Sequence, residues 1–334
     1  MTVKEQLLMR LAENPDMFLS GESLAQTIGC SRNAIWKAVT ALRQEGYPIE
    51  AAQNRGYRLS GGTDILSEQA LRAHLTNREV SVTVLPEVTS TNQVLKQQAL
   101  AKELPQGSIV IAGAQTEGRG RRGHTFYSPA DTGLYMSILL RPGRTIENSL
   151  TLTARAAVAV CRAVAALGGP ELSIKWVNDL FLNGRKVGGI LTEAVTDFET
   201  GHMDFVVIGV GLNLFPPQGG YPDDIARLAG SLWESEERPQ GITRCHLAAA
   251  IADAMQNAAE DETIMPEYRR RGLLPGPLDQ NGLGERVQVV QGTSRRDARA
   301  VAITPEGRLT VQYEDGSRED LLYGEVRLKA LPDR

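Results

Sequence analysis

Cysteine and histidine are scarce in this chain, and neither is clustered. The three cysteines, Cys30, Cys161 and Cys245, lie far apart with no Cys-x-x-Cys spacing. An odd, dispersed set argues against a disulfide framework and fits a reducing compartment. The four histidines, His74, His124, His202 and His246, are equally scattered. The paired ligand spacings of a structural zinc site are therefore missing. Long apolar runs are lacking too. Nowhere do about 18 apolar residues follow one another, so no membrane span is expected. Residues 1–16 are broken by charge every few positions, which no signal-peptide core tolerates. An excess of positive charge is also absent: 36 Lys and Arg face 40 Asp and Glu, a net charge of −4. Any contact with nucleic acid must then come from a local patch. These absences point to a cytoplasmic protein.

What is present is ordinary globular material, 42% hydrophobic and 23% charged over 334 residues. That length predicts two or three domains. Residues 1–62 read as three helices and a small hairpin. Val3, Leu7, Leu8 and Leu11 keep helical spacing. A second helix starts near Ser20, carries Leu24, Ala25 and Ile28, and is stopped by Gly29. Ser31 is placed to cap a third, which buries Ile35, Ala38, Val39 and Leu42. Strands at 49–51 and 56–59 flank the turn 52–55. This order is that of a winged helix-turn-helix. The outer face of the third helix carries Arg32, Asn33, Trp36, Lys37 and Thr40, which offer donors to base edges and charge to phosphate. Arg55 and Arg58 on the hairpin suit the flanking backbone. A protein-interaction module with a solvated polar face has the same pattern.

Residues 61–64 read as a linker, and residues 65–272 alternate helices and strands. Strands are expected at 81–85, 108–112, 133–139, 172–176, 186–192 and 204–209, with a buried, alanine-rich helix over 150–168. The segment 274–277 marks a second boundary. Beyond it, in residues 275–334, strands at 286–290, 297–303, 308–313 and 318–323 predict a small β-barrel.

The most informative stretch is Gln115-Thr116-Glu117-Gly118-Arg119-Gly120-Arg121-Arg122-Gly123. Its glycines let the backbone approach a ligand, and its arginines supply planar donors for phosphate or carboxylate. It is neither a P-loop nor a dinucleotide-binding fingerprint. Taken alone it also fits a generic basic turn or an RNA-binding element. Ser90, Thr91 and Asn92 follow a strand, either capping a helix or facing a ligand. Lys175-Trp176-Val177-Asn178-Asp179-Leu180 sets a lysine, an amide and a carboxylate at a strand end. Lys186-Val187-Gly188-Gly189 puts a lysine beside two glycines, and Gly209-Val210-Gly211-Leu212-Asn213 ends a strand on small residues.

In this combination, the chain resembles the biotin–[carboxyl carrier protein] ligase and biotin operon repressor family, in the form with a DNA-binding head. The match runs nearly end to end, through STNQ, GRGRRG, KWVNDL, KVGGILTE, IGVGLN and GEVRLK. The resemblance implies an α+β multidomain protein: a winged helix-turn-helix, a mixed-sheet core like lipoate ligases and class II tRNA synthetases, and an SH3-like C-terminal barrel. It implies that Ser90, Thr91, Asn92 and Gln115 hold biotin, with Leu134, Ile190 and Leu191 as an apolar wall. Arg119, Gly120 and Arg121 would close over biotin and its adenylate, and Lys186 would sit near the biotin carboxylate and α-phosphate. Asn178 and Asp179 would face ATP and Mg²⁺, with Asp179 as the metal ligand. Asn213, Glu325 and Lys329 would approach the nucleotide, and Phe126 would stack on adenine. Ser31, Arg32, Asn33, Trp36, Lys37, Thr40 and Arg55 would meet operator DNA. The implied activity forms biotinyl-5′-AMP and passes biotin to a lysine of a carrier protein, with an adenylate-linked homodimer as repressor. A lipoate-type ligase, a ligand-sensing transcription factor without ligase activity, and a ligase with a vestigial head are the rival readings.

Overall fold

A computed structural model describes residues 2–14, 16–44, 46–60, 64–141, 149–196, 203–234, 242–258, 261–280, 282–322 and 325–328. The head comprises α1 (Val3–Ala12), α2 (Gly21–Ile28), α3 (Arg32–Gln44) and the hairpin β1 (Ile49–Ala52) and β2 (Gly56–Leu59). Local chemistry sets each boundary. Thr2 and Glu5 form a reciprocal capping box on α1, and Ser20 caps α2. Gly29 ends α2 at φ 75°, a left-handed conformation that glycine adopts without steric cost. Ser31 Oγ accepts from Ala34 N at 3.1 Å, the cap expected of it. Ile35, Ala38, Val39 and Leu42 then form the buried stripe of α3, packed with Leu7, Leu8, Leu11 and Leu24. Burying one large aliphatic side chain contributes about 1.5–3 kcal/mol, so this stripe seats α3.

The core runs α4 (Glu68–His74), β3 (Val82–Val88), α5 (Thr91–Ala101), β4 (Ile109–Gln115), β5 (Gly133–Leu140), α6 (Ser149–Ala166), β6 (Ser173–Lys175), β7 (Asp179–Leu182), β8 (Arg185–Thr196), β9 (Met203–Asn213), α7 (Arg244–Asn257) and α8 (Ile264–Arg271). The strands form one mixed sheet in the order β3-β4-β5-β9-β8-β7-β6. Among the described residues only the β3–β4 strand pair in it is parallel. The helices α6, α7 and α8 cover one face with the main apolar core. Helix α5 covers part of the other over a smaller cluster that includes Leu95, Leu139, Phe205 and Val207. Alternation along β5 and β9 assigns side chains to these faces. Leu134, Met136 and Ile138 join the main core, while Ser137 turns toward α5. Strand β7 was not expected as a separate element.

The C-terminal region is a five-stranded antiparallel sheet among the described residues: β10 (Arg286–Gln291), β11 (Ser294–Ile303), β12 (Leu309–Tyr313), β13 (Arg318–Leu321) and β14 (Glu325–Leu328). Its order is β13-β12-β11-β10-β14. The fifth strand, β14, lies beyond those expected. The segment before this sheet is firmly packed. Leu274 is fully buried in the main core, and Pro275 O accepts from Glu285 N at 2.8 Å.

Candidate active site and DNA-facing helix

The pocket opens on the α5 face of the sheet, where the strand residues become small. On this face β9 reads Val207, Gly209, Gly211 and Asn213. A Cβ on Gly209 would lie 2.4 Å from Asn92 Oδ1, and one on Gly211 would lie 2.6 Å from the Phe126 ring. Glycine there makes room for side chains from two other segments. The resulting cavity is about 410 Å³, and Ser90, Thr91, Asn92, Gln115, Arg119, Gly120, Arg121, Phe126, Asn178, Asp179, Lys186 and Asn213 all line it. Twelve positions spread over 124 residues of sequence thus share one cavity. Of the expected wall, Ile190 and Leu191 line it. Leu134 does not: strand alternation turns it into the main core on the opposite face.

A chain of hydrogen bonds fixes the polar end. Ser90 occupies the N-cap position of α5 but makes no side-chain cap bond, so its hydroxyl is not spent on the helix. Gln115 Oε1 accepts from Thr91 N at 2.9 Å and from Thr91 Oγ1 at 3.2 Å. Gln115 Nε2 donates to Ser128 Oγ at 3.0 Å. The buried Ser137 hydroxyl lies 2.8 Å from Thr91 Oγ1 and 2.6 Å from Asn92 Oδ1. Asn92 Nδ2 donates to Glu193 Oε2 at 2.7 Å. Ser137, Ser128 and Glu193 were missed in the sequence. A lone polar residue within the apolar run Gly133–Leu140 was the available signal for Ser137. Glu193 carried none, since its partner lies 101 positions away.

The other end is cationic. Arg119, Arg121, Arg122, Lys175 and Lys186 line the pocket, against Asp179 as the single carboxylate among the described lining residues. The overall negative charge therefore hides a positive cavity. Lys186 Nζ and Asp179 Oδ1 are 2.6 Å apart. Burial pulls the Arg121 guanidinium below its ordinary value, Asp179 opposing and Arg122 reinforcing. An anion placed there would relieve that cost. The Gly/Arg loop is stitched into an arch: Phe126 N donates to Gly118 O at 2.8 Å and Gly120 N to His124 O at 2.7 Å. A Cβ on Gly118 would come within 2.2 Å of Phe126 O, so glycine is required at that crossing. Arg122 is directed elsewhere, with Nη1 donating to Val290 O in the C-terminal sheet at 3.0 Å. Val326 of β14 also lines the pocket.

Asn178 braces the site: its Nδ2 donates to Ile190 O at 2.8 Å, and Ile190 N donates back to Asn178 O at 2.9 Å. Asn213 Nδ2 donates to Gly230 O at 2.9 Å, holding the segment that pairs with the Lys186 backbone. Glu325 begins β14 opposite Val290, while its side chain and all of Lys329 lie outside the described residues.

On the head, Ser31, Arg32, Asn33, Trp36 and Lys37 are exposed, and Thr40 is half-buried with its hydroxyl on Trp36 O at 2.9 Å. Trp36 is 56% exposed. Arg55 is exposed, its guanidinium 4.3 Å from the centre of the Phe18 ring. Arg58 is not free for phosphate as expected: Nη2 donates to Glu50 Oε2 at 2.6 Å.

A winged helical head, a mixed-sheet core with a cationic pocket and a small β domain define a ligase joined to a helix-turn-helix. Residues 3–58 match the HTH domain family, 84–213 the biotin/lipoate A/B protein ligase family, and 282–329 the biotin protein ligase C terminal domain. The bifunctional ligase/repressor BirA of Escherichia coli is 35% identical, over 98% of both chains. That of Bacillus subtilis is 31% identical, over 95% of this chain and 96% of its own. The chain belongs to the biotin protein ligase family, in its bifunctional ligase/repressor form. Among solved structures, the Aquifex aeolicus biotin protein ligase in complex with biotin and ATP is 25% identical. It covers 75% of this chain and 98% of its own with a TM-score of 0.60.

Proposed function

We propose that this protein activates biotin with ATP to biotinyl-5′-AMP, transfers biotin to a lysine of a carboxylase carrier domain, and represses biotin synthesis genes through its head. The observation carrying the ligase reading is the convergence of the Gly/Arg loop, Lys186 and Asp179 on the cavity that Ser90, Thr91 and Gln115 also line. Residues 1–62 form the DNA-binding domain in this reading, 65–272 the catalytic domain and 275–334 the C-terminal domain. The protein works in the cytoplasm.

Biotin's ureido ring is flat and neutral, and hydroxyls with an amide suit it. Ser90, Thr91, Asn92 and Gln115 meet that ring. Ile190 and Leu191 cover its apolar part. Phe126 stacks on adenine, and Asn178, Asp179, Asn213, Glu325 and Lys329 form the nucleotide side. A carboxylate does not acylate an amine at neutral pH, so it must first be activated. The biotin carboxylate attacks the α-phosphorus of ATP, and pyrophosphate leaves. Negative charge gathers on the phosphate oxygens, where Arg119, Arg121 and Lys186 stabilise it, with the Gly120 backbone close against the adenylate. One such donor is worth about 2–4 kcal/mol of transition-state stabilisation. A single pocket carboxylate, Asp179, fits a Mg²⁺ that arrives on the polyphosphate and takes few protein ligands. That ion would neutralise phosphate charge. The loop keeps water from the mixed anhydride until the carrier's lysine attacks the acyl carbon and AMP departs.

The recognition face of α3, Ser31 through Thr40, enters a major groove, with Arg55 on the flanking backbone. Two heads on a palindromic operator require a homodimer, which the adenylate-ordered loop supports. Mass spectrometry of a carrier domain after incubation with protein, biotin and MgATP tests the ligase. One added biotin is expected, and none with lipoate in its place. Lipoate addition would reassign the enzyme, and no addition would remove the activity. Footprinting with and without biotin and ATP tests the linkage, which fails if binding is indifferent to them.

A further inference from the structure

Arg244, in the first turn of α7, is a charged side chain taken almost wholly out of water, the residue being 8% exposed. It is bound at three points to one residue of the segment that leaves the head. Arg244 N and Nε donate to the two carboxylate oxygens of Asp64 at 2.7 and 3.1 Å, and Nη2 donates to Asp64 O at 3.1 Å. The same turn of α7 takes the residues that follow. Cys245 Sγ lies 3.5 Å from Ile65 O, and the His246 ring stacks on His74 at the end of α4 with centroids 4.5 Å apart. Helix α4 packs in turn against α1 of the head, and Tyr47 of the head bonds the Ser67 hydroxyl.

Arg244 also reaches the other way. Its Nη2 lies 3.5 Å from Asp131 Oδ1. Asp131 follows three residues after Ser128, which bonds both the side chain and the backbone of Gln115 in the pocket. The two ends differ in strength. The Asp64 end is buried, and the guanidinium is held there at two points, Nε on the carboxylate and Nη2 on the backbone carbonyl, while the Arg244 backbone N–H takes the second carboxylate oxygen. Asp131 is 87% exposed, and an ion pair in water is weak and easily parted. Such a clasp keeps its grip on the head's attachment while its outer end follows the segment leaving the pocket.

We infer that Arg244 is a positioning residue for DNA binding, tying the seat of the head to the segment that leaves the ligand pocket. The inference rests on the DNA-binding reading of the head. Arginine is needed because one ammonium cannot reproduce its fork. Hydrogen exchange on full-length R244Q, R244K and D64N, with and without biotin and MgATP, reads the clasp directly. Exchange over residues 64–74 should quicken about tenfold or more in all three as the segment opens locally. Biotin transfer to a carrier domain should stay within about twofold of wild type, as these side chains lie outside the pocket. Duplexes selected on the wild-type protein with biotin and MgATP should bind R244Q about tenfold more weakly. D131N should leave exchange in that segment unchanged without ligand and remove the change that ligand produces. Should R244Q fail to fold, D64N alone carries the test. Wild-type exchange and DNA affinity in D64N would overturn the proposal. If the wild-type protein selects no duplex, the reading of the head fails, and exchange still decides the clasp.

Discussion

Lys186 Nζ rests 2.6 Å from Asp179 Oδ1 across the β7–β8 hairpin, with the two side chains 37% and 23% exposed. The pair holds the lysine's charge inside the cavity, where a phosphate must compete with Asp179 for it. Replacing Lys186 with Ala should slow biotin-dependent pyrophosphate release by about 10²–10³, or about 3–4 kcal/mol. D179N should leave the lysine mobile and raise the KM for MgATP. A K186A enzyme forming adenylate at the wild-type rate would remove the lysine from the mechanism.

Ser137 does not itself line the pocket, yet it supports two of the expected ligand positions, Thr91 and Asn92. S137A leaves buried acceptors less satisfied, at about 1–3 kcal/mol of stability. Its KM for biotin should rise more than its kcat falls, since the positions it supports bind the ring. Thermal unfolding and steady-state kinetics read the two effects separately.

Gly209→Ala tests the space left for Asn92. The new Cβ would stand 2.4 Å from Asn92 Oδ1, pushing that amide off Ser137 and Glu193. A cost of about 1–3 kcal/mol in stability is expected from overpacking, with weaker biotin binding by calorimetry. Unaltered biotin affinity would place Asn92 outside the site.

Acid should loosen the α4–α7 contact. Burial, and then the charge of His246, lower the His74 pKa from 6.5 to about 4. The folded protein therefore favours neutral His74, while the unfolded chain takes up a proton near the ordinary value. The stability this provides is intact above pH 6.5 and drains away as pH falls toward about 4. H74F keeps a ring in the stack without the titration, so the melting temperature should vary less across that window than in wild type. An unchanged profile would show that His74 does not contribute.

The charge on α3 gives a salt-dependent signature. Removing Arg32 and Lys37 together should weaken operator binding and reduce the slope of log affinity against log salt by about 1.8, at about 0.9 per phosphate contact. Biotin transfer should be unaffected. A slope equal to that of wild type would mean that this face does not meet DNA.

Periodicity and local chemistry made much of this protein legible in its sequence. Helical spacing identified Ile35, Ala38, Val39 and Leu42 as the buried stripe of α3, and the N-cap at Ser31 and the glycine stop at Gly29 followed from side-chain size and hydrogen bonding. These are short-range properties, carried within a few residues. The Gly/Arg loop announced itself because glycine and arginine together are chemically unusual. Which side chains share a cavity was decided elsewhere. Ser137 and Glu193 reach Asn92 only because β5, β8 and β9 lie side by side, and Leu134 leaves the pocket because a strand alternates its faces. Arg58 is spent on Glu50 across the β1–β2 hairpin, and Arg244 on Asp64 in a distant segment. Local sequence determines which elements form and which groups they carry. The packing of the sheet alone decides which of those groups meet, because hydrogen bonds and ion pairs depend on separations of a few ångströms that no spacing along the chain specifies.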